Sequence, residues 1–328
     1  MVFATHSDRA IESFQENGPV VRAMVDDLVR NVTGKSDVPS AWRSLVKPGD
    51  KVGIKIAASG GRFFSTHREV VEAVLAGLAQ AGIARRDVVV WDRGDLGAAG
   101  FSGNAGYRLG VVEPRTGYNK KAVVNSPLMG RLIWGDLDFT SNRSANGLLR
   151  DPEQVSSESH WSNIVSRDVT KIINLPVMTN DESCGLAGAL YNVTIPNLDN
   201  WRRFLQTPNF GNPYISELYA DANVGPKVIF TLMDGLTAQY AGGPGFKPDY
   251  AFSHGTLYAS KDPVALDAVA FRKILQWRSE AKLNSQVDRA SYLETAEAME
   301  IGNYSPDRVE VREVGGGDQK SAKTKVLP

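Results

Sequence analysis

The sequence predicts an α/β protein in which parallel sheets are flanked by helices, arranged as two unequal lobes around a cleft. Three observations carry this prediction. KVGIKI at 51–56 is typical of a buried strand, a helix with one apolar face follows over about 67–81, and DVVVW at 87–91 is a second buried strand. A strand, a helix and a strand in this order form a parallel unit with a right-handed crossover. A strand–loop–helix order recurs after residue 166, which predicts the second lobe.

The other elements follow from the same patterns. Short apolar runs predict further strands, and apolar residues at helical spacing predict further helices. Asp262 stands before Pro263, so we expect its side chain to cap the helix that follows. The predicted strands are Val2 to Thr5, Val169 to Leu175, Val228 to Met233, Gly255 to Ala259 and Arg308 to Val314; the predicted helices cover 20–29, 41–45, 186–192, 214–218, 264–277 and 292–299.

Two stretches without a regular pattern set the predicted domain boundaries. The span 140–159 is rich in Ser, Asn, Arg and Gly and predicts an irregular excursion or lid. Residues 315–328 are rich in Gly and Lys and predict a disordered tail. We therefore expect an N-terminal lobe over 1–165 and a C-terminal lobe over 166–314.

Composition excludes several classes of protein. Of 328 residues, 42% are hydrophobic and 23% are charged, as in an ordinary globular protein. Lys and Arg number 37, as do Asp and Glu, so no basic excess indicates nucleic acid as a partner. The single cysteine, Cys184, excludes an intrachain disulfide and a cysteine-ligated iron–sulfur cluster. No apolar run is long enough to predict a membrane span, and no signal peptide is visible.

Seven short motifs in a fixed order resemble a known family. Together they are similar to the domain-of-unknown-function 362 family, in particular its exported bacterial members of the twin-arginine type. The resemblance covers roughly residues 48 to 312. The motifs are VGIKI at 52–56, Ser65-Thr66, WDR at 91–93, IINLP at 172–176, GLAGALYN at 185–192, DGL and GGP within 234–244, and SKDPVALD at 260–267.

The resemblance implies a fold and a set of polar positions rather than an established reaction. Family members often accompany ferredoxin-like cluster domains, for which this chain lacks the cysteines. The resemblance also favours an exported, periplasmic location over a cytoplasmic one. Because the family has no defined chemistry, the reaction has to be argued from individual residues.

Three polar positions depart from the family pattern. Members usually have Lys-x-His after the IINLP strand, where this chain has the stretch 178–182 without Lys or His. They usually have Lys-Asn where this chain has Tyr191-Asn192, and Asn where it has Ala57. Two interpretations follow: the chemistry is retuned, with Asp181, Glu182 and Tyr191 as new groups, or the ancestral activity is lost.

Three of the candidate catalytic residues, Asp181, Glu182 and Asp234, follow predicted strands, whose carboxyl ends are where α/β proteins collect ligands. The adjacent carboxylates Asp181 and Glu182 could act as a general base or bind a hard metal, or Asp181 could cap the next turn. Lys55 lies inside a strand, where it could bind an anion or form a buried ion pair with Asp92 or Asp234. The predicted catalytic set is Lys55, Asp181, Glu182, Asn192 and Asp234.

Two glycine- and hydroxyl-bearing loops are candidate cofactor-binding segments. Ser65 and Thr66 precede a predicted helix, and Gly242 and Gly243 stand in a Gly-Gly-Pro-Gly loop. His67 could bind an anion at the helix start, or Thr66 could simply cap the helix and leave His67 exposed. Neither the phosphate-loop pattern nor the dinucleotide pattern is present, so an ATP or NAD site of those types is not expected.

The cofactor is not identified by the sequence, but the side chains are compatible with a divalent metal of unspecified identity. The predicted ligands are His67, Asp92 and Asp267. His160 and His254 could join His67 and a carboxylate in a two-His-one-carboxylate site, or each could be structural. Either outcome depends on whether folding brings these residues together.

Two functional hypotheses remain at the level of sequence. The first is an enzyme acting on a small polar or anionic substrate in the cleft between the lobes, with or without a metal. The second is a non-catalytic ligand-binding or assembly protein on a degenerate enzyme scaffold. For the second, an aromatic and basic segment, Trp201 to Phe204 with Tyr214, could form a ligand wall or the contact of a homo-oligomer.

Overall fold

The computed structural model describes residues 1–113, 116–126, 130–131, 158–205, 210–283 and 289–315. The predicted excursion over 140–159, apart from residues 158 and 159, lies outside these ranges, as does the predicted tail beyond residue 315. In the described ranges, no helix has the length and apolar character needed to cross a membrane.

Strands and helices alternate along most of the described chain. The strands are β1 (Val2–His6), β2 (Ile11–Glu12), β3 (Gln15–Glu16), β4 (Val52–Ile56), β5 (Val88–Trp91), β6 (Arg108–Gly110), β7 (Tyr118–Val123), β8 (Asn125–Ser126), β9 (Gly130–Arg131), β10 (His160–Ser162), β11 (Lys171–Leu175), β12 (Val177–Asp181), β13 (Gly185–Leu186), β14 (Val228–Gln239), β15 (Ala251–Ser260) and β16 (Val311–Glu313). The helices are α1 (Gly18–Thr33), α2 (Val38–Leu45), α3 (Arg68–Gln80), α4 (Ala189–Thr194), α5 (Tyr214–Ala220), α6 (Pro263–Glu280) and α7 (Tyr292–Ala298).

One mixed, mostly parallel sheet forms the centre of the molecule and confirms the predicted α/β class. Its strand order is β16-β1-β15-β14-β11-β4-β5-β6, with β12 added to β14 and β13 added to β12. All neighbours from β14 to β6 are parallel, whereas β15 is antiparallel to β14 and to β1. Strands from both predicted lobes lie in this sheet, and the division into two lobes stays a prediction.

The order of the strands reverses between β4 and β11. From β4 the chain proceeds outward to β5 and β6, then returns to place β11 on the other side of β4. In open α/β sheets, the crevice outside the carboxyl ends of strands at such a reversal is the usual ligand site. The topology therefore predicts a ligand site among the residues that follow β4, β5 and β11.

Helices cover both faces of the sheet and give it two apolar layers. Helices α1 to α3 pack together on one face, and α4 to α7 pack together on the other. Strand β4 directs Val52, Ile54 and Ile56 into the α1–α3 layer, so Gly53 and Lys55 lie on the opposite face because side chains alternate. A Cβ on Gly53 would lie 2.5 Å from the Trp91 ring, so only glycine leaves room for that ring.

Two strand ends differ from the sequence prediction. The strand that was expected to stop at Pro176 is followed directly by β12, and the strand that was expected to end at Asp234 continues to Gln239. The two extensions pair with each other, Val177 opposite Asp234, and this pairing satisfies backbone groups that a loop would leave to water. Asp234 is thus inside a strand, not at its end.

Candidate functional site

A cavity of about 260 Å³ lies at the carboxyl ends of β4, β5 and β11, where the strand order reverses. We call it the strand-end cavity. Its polar floor includes Asp92, directly after β5, and Asn192 of α4. Its walls are mostly apolar and include Phe64, Val177, Ala187, Ile195, Trp201 and Pro244.

A buried lysine lies directly behind the cavity floor. Lys55 is fully buried, and its Nζ lies 2.6 Å from Asp92 Oδ1, 3.1 Å from Asn192 Oδ1 and 2.7 Å from the Ile56 carbonyl oxygen. The second Asp92 oxygen accepts the Ala58 backbone N–H at 2.7 Å. Of the two partners predicted for Lys55 from sequence, the structure places Asp92 in contact with it.

The surroundings of Lys55 suit an ammonium group. Burial lowers the pKa of Lys55, and the charge and hydrogen bond of Asp92 oppose that effect. Three oxygen acceptors meet its three N–H donors, which is the complement that a protonated lysine requires. Lys55 therefore neutralises Asp92 without itself lining the cavity.

Asn192 is fixed by a second layer of hydrogen bonds. Its side-chain amide donates to Asn174 Oδ1 at 2.8 Å, and the amide of Asn174 donates to the Ala189 carbonyl oxygen at 2.9 Å. Both asparagine side chains are buried. Strand β11 thereby sets the position of α4, and α4 sets the position of Asn192 at the cavity floor.

Asp267 holds the start of α4 from the opposite side. Its carboxylate accepts the backbone N–H groups of Ala189 at 2.5 Å and Leu190 at 3.0 Å. Burial raises the pKa of Asp267 to about 7, against the effect of these two hydrogen bonds. A Cβ on Gly188 would lie 2.1 Å from Asp267 Oδ1, so this approach requires glycine.

One side of the cavity carries hydrogen-bond donors. The guanidinium of Arg93 lies 5.2 Å from the centre of the Trp201 ring and donates to the Leu198 carbonyl oxygen at 3.1 Å. Tyr191, one residue before Asn192, also lines the cavity. Tyr191 and Trp201 are among the ligand contacts predicted from the sequence, whereas Arg93 is not, although its place directly after Asp92 is a signal that could have indicated it.

The predicted carboxylate pair lies outside the strand-end cavity. Asp181 is buried at the end of β12, and its Oδ1 accepts the N–H groups of Ser183 at 2.8 Å and Cys184 at 2.9 Å. Burial raises the pKa of Asp181. Its geometry is that of the turn cap that sequence analysis considered as the alternative to a general base.

The glycine loop is bonded to the protein itself. Glu182 Oε1 accepts the Gly242 N–H at 2.7 Å, and Asn180 Oδ1 accepts the Gly243 N–H at 3.0 Å. The amides predicted to bind a cofactor therefore already have acceptors. A role for Glu182 in catalysis stays a prediction, because the bond to Gly242 explains its position without a ligand.

Ser65 and Thr66 also make internal contacts. Ser65 donates to the Gly61 carbonyl oxygen at 2.6 Å. Thr66 donates to the Leu175 carbonyl oxygen at 2.7 Å and accepts the Ala57 N–H at 2.9 Å. These bonds tie the loop after β4 to the end of β11, next to the cavity. A role for Ser65 and Thr66 in binding a cofactor stays a prediction.

His67 and Asp234 form a nearly buried pair. His67 Nδ1 lies 2.8 Å from Asp234 Oδ2, which also accepts the His67 backbone N–H at 2.7 Å. Burial lowers the pKa of His67, but the charge and hydrogen bond of Asp234 outweigh it, so the net pKa is raised. The pair fastens the start of α3 to the middle of β14, and neither alternative from sequence, an anion site or an exposed residue, describes it.

The three predicted metal ligands do not meet. His67 is bonded to Asp234, Asp92 to Lys55, and Asp267 to backbone amides of α4. His160 contacts Asp199, and His254 contacts Tyr258. Within the described ranges, no group of three or more His, Cys, Asp or Glu side chains is placed to hold a metal ion. Each predicted ligand has a separate partner in the described structure, and a role of these residues in binding a metal stays a prediction.

Comparison with known proteins gives a family of undefined chemistry. Residues 141–272, less than half of the chain, match the model of a domain of unknown function, DUF362. This match supports the resemblance seen in the motifs and says nothing about export. No curated protein matches the chain.

One solved structure is similar at a distance. A crystal structure of a protein from Thermotoga maritima is 11% identical, with a TM-score of 0.42 over 82% of this chain. The match spans 60% of the length of that protein. A likeness this distant carries no argument, so the fold class rests on the sheet described above.

Proposed function

We propose that the protein is an enzyme acting on a small polar or anionic substrate in the strand-end cavity, with Asp92 accepting a proton from the substrate. One observation carries the proposal: a carboxylate at the cavity floor is backed by a fully buried lysine. A buried lysine whose pKa is lowered by burial, paired with a carboxylate at a cavity, is typical of a functional site.

Asp92 is suited to the role of a general base. Lys55 and the Ala58 N–H each occupy one lone pair of its two oxygens, so each oxygen keeps capacity to accept another hydrogen bond. A carboxylate oxygen that keeps this capacity is within reach of a proton on a substrate bound in the cavity. The mostly apolar walls lower the polarity around the carboxylate and strengthen such interactions.

Lys55 and Asn192 are positioning residues in this proposal. Lys55 does not line the cavity, and the polar atoms of the Asn192 side chain are bonded to Lys55 and Asn174. They act by holding the Asp92 carboxylate in place. In this proposal Lys55 contributes to catalysis only by positioning Asp92.

Proton exchange with solvent tests the proposal without knowledge of the full reaction. Small carboxylic, hydroxy and keto acids are incubated with the protein in D₂O, and loss of C–H signals is followed by proton NMR. We expect exchange with the wild type and a loss of about 10²–10⁴-fold in Asp92→Asn, whose amide cannot take up the proton. Asp95→Asn, three residues along the same loop, is the matched control. Equal exchange by the wild type and a folded Asp92→Asn variant contradicts the role of Asp92.

The second hypothesis, a non-catalytic binding protein, has one observation in its favour. Asp92 and Asn192 already have hydrogen-bond partners within the protein, as a purely structural network would. In that case a ligand stabilises the wild type and Asp92→Asn alike, and no compound exchanges protons with solvent.

A further inference from the structure

We infer that the strand-end cavity takes organic monocarboxylates, with the carboxylate group against Arg93 and Tyr191 and an apolar body filling the remainder. The inference rests on the proposed function, because it assumes that the cavity is a ligand site. It restricts the ligand from any small polar or anionic molecule to a molecule with a single carboxylate and a compact apolar body.

The charges of the cavity lining favour a single negative charge on the ligand. Asp92 is neutralised by Lys55 at 2.6 Å. Arg93 lines the same cavity, and no carboxylate in the described part of the chain forms an ion pair with it. The excess is therefore one positive charge, which a monoanion would balance.

Arg93 is held in a position to use its remaining donors. One of its terminal nitrogens is bonded to the Leu198 carbonyl oxygen, and the Trp201 ring packs against the guanidinium. A guanidinium has five N–H donors in a planar fork that matches the two oxygens of a carboxylate. Because these contacts already fix the Arg93 side chain, its remaining N–H groups can bind a ligand with little further loss of side-chain entropy.

A neighbouring phenol supplies a further hydrogen-bond donor. Tyr191 lines the cavity, and its hydroxyl has no hydrogen-bond partner among the described residues. Burial raises the pKa of Tyr191 well above its ordinary value, so the phenol keeps its proton and stays a donor. Leaving such a donor unpaired is unfavourable, and a ligand oxygen removes that cost.

The rest of the cavity requires a small apolar body. Phe64, Val177, Ala187, Ile195, Pro196 and Pro244 present carbon surface to it. A volume of about 260 Å³ is slightly below the usual range for drug-sized ligands, so the body is compact.

Phosphate is a poorer fit than carboxylate. Phosphate sites in proteins use several backbone N–H groups in addition to a cation. The nearby glycine amides of Gly242 and Gly243 are bonded to Glu182 and Asn180, and the Ala58 N–H is bonded to Asp92. The described wall thus offers the guanidinium of Arg93 and the hydroxyl of Tyr191, which suits two oxygens rather than four.

Isothermal titration calorimetry with benzoate, benzamide and inorganic phosphate tests the inference. Benzamide has nearly the shape of benzoate without its charge. We expect benzoate to bind the wild type at least 10-fold more tightly than benzamide or phosphate. Arg93→Gln should weaken benzoate binding at least 10-fold and leave benzamide binding unchanged. Tyr191→Phe, which removes only the hydroxyl, should weaken benzoate binding by a smaller factor.

Arg202→Gln is the matched control. The Arg202 guanidinium lies 4.8 Å from the centre of the same Trp201 ring, but Arg202 does not line the cavity. We expect less than a 2-fold change for this variant. If Arg93→Gln does not fold, the wild-type preference for benzoate over benzamide and the Tyr191→Phe variant decide the question.

The outcomes separate the inference from the proposal beneath it. Equal binding of benzoate and benzamide, tighter binding of phosphate, or an unchanged affinity in a folded Arg93→Gln variant overturns the carboxylate inference and leaves the cavity as a ligand site. Binding of none of the probes overturns the carboxylate inference, whereas the role of Asp92 is judged separately by the exchange experiment. Benzoate binding that depends on Arg93 and not on Arg202 supports it.

Discussion

The pairing of Lys55 with Asp92 is the residue-scale feature on which the candidate site depends. A charge that is removed from water is costly unless it is paired and hydrogen-bonded. Here three acceptors surround the ammonium, and Asp92 has both the ammonium and a backbone N–H. Strand β4 supplies the lysine and the end of β5 supplies the carboxylate, so the register of two adjacent parallel strands fixes the pair.

Replacing Lys55 should show how much the contact between Lys55 and Asp92 contributes to the stability of the protein. Lys55→Met leaves Asp92 as an uncompensated charge, and we expect the free energy of unfolding to fall by about 3–5 kcal/mol. Adding Asp92→Asn removes that charge and should restore part of the loss. Urea unfolding of the single and double variants measures both effects. Lys51→Met, at an exposed lysine before the same strand, is the control. A double variant less stable than Lys55→Met alone contradicts this account of the pair.

The His67–Asp234 pair should give stability a definite dependence on pH. The pKa of His67 in the folded protein is above its ordinary value of 6.5. The folded state therefore binds the proton more tightly than the unfolded state, and the contribution is full below about pH 6.5 and lost as pH rises through the folded pKa. Glu16, whose charge also raises this pKa, and Asp234 act in the same direction.

His67→Gln should remove this dependence. We expect the difference in unfolding free energy between wild type and His67→Gln to be largest near pH 6 and to shrink as pH rises. Urea unfolding at several pH values gives the difference directly. Subtracting the variant also cancels the contribution of Asp267, whose pKa is raised to about 7 and which loses stability with rising pH in the same sense. Parallel curves for the two proteins would show that His67 does not titrate with the pair.

At the scale of elements, α4 is the segment that carries the cavity floor. It has only six residues and no side-chain cap of its own, so its position depends on Asp267 from α6 and on Asn174 from β11. Gly188 permits the Asp267 contact, because any side chain there would overlap the carboxylate. The helix is thus placed by neighbouring elements rather than by its own propensity.

Gly188→Ala tests this placement. The new methyl group would overlap Asp267 Oδ1, and we expect the free energy of unfolding to fall by about 1–3 kcal/mol, together with weaker ligand binding, because Tyr191 and Asn192 move with the helix. Gly103→Ala is the control, since a Cβ there meets nothing within 4 Å. Melting curves and calorimetry measure the two effects. Wild-type stability and binding in Gly188→Ala would contradict the role of the glycine.

Some elements could be predicted from sequence and others could not, for identifiable reasons. The runs that became β4 and β5 are buried on both faces, so they read as nearly continuous apolar stretches. The hairpin of β2 and β3 was missed because its turn residues, Ser13 and Phe14, have positive φ without the glycine or asparagine that signals such turns. Strand β12 was missed because its partner, the second half of β14, lies more than fifty residues away.

At the scale of the whole molecule, the reversal of strand order explains why the candidate site lies where it does. Lys55, Asp92 and Asn192 are far apart in the sequence, which predicted a pair of Lys55 with Asp92 or Asp234 but could not choose between the two or place Asn192 beside them. Packing brings them together at one crevice and takes Asp181, Glu182, Asp234 and Asp267 into structural bonds elsewhere. The local sequence cannot distinguish a carboxylate that caps a turn from one that lines a cavity, because both are acidic residues close to the end of an apolar run.

The most direct test of the central claim is a crystal structure of the protein soaked in benzoate. The account predicts a benzoate molecule in the strand-end cavity, with carboxylate oxygens at hydrogen-bonding distance, about 3 Å, from Arg93 and its ring against the apolar walls. A cavity that stays without benzoate while the molecule binds elsewhere would contradict the claim that this crevice is the ligand site of the protein.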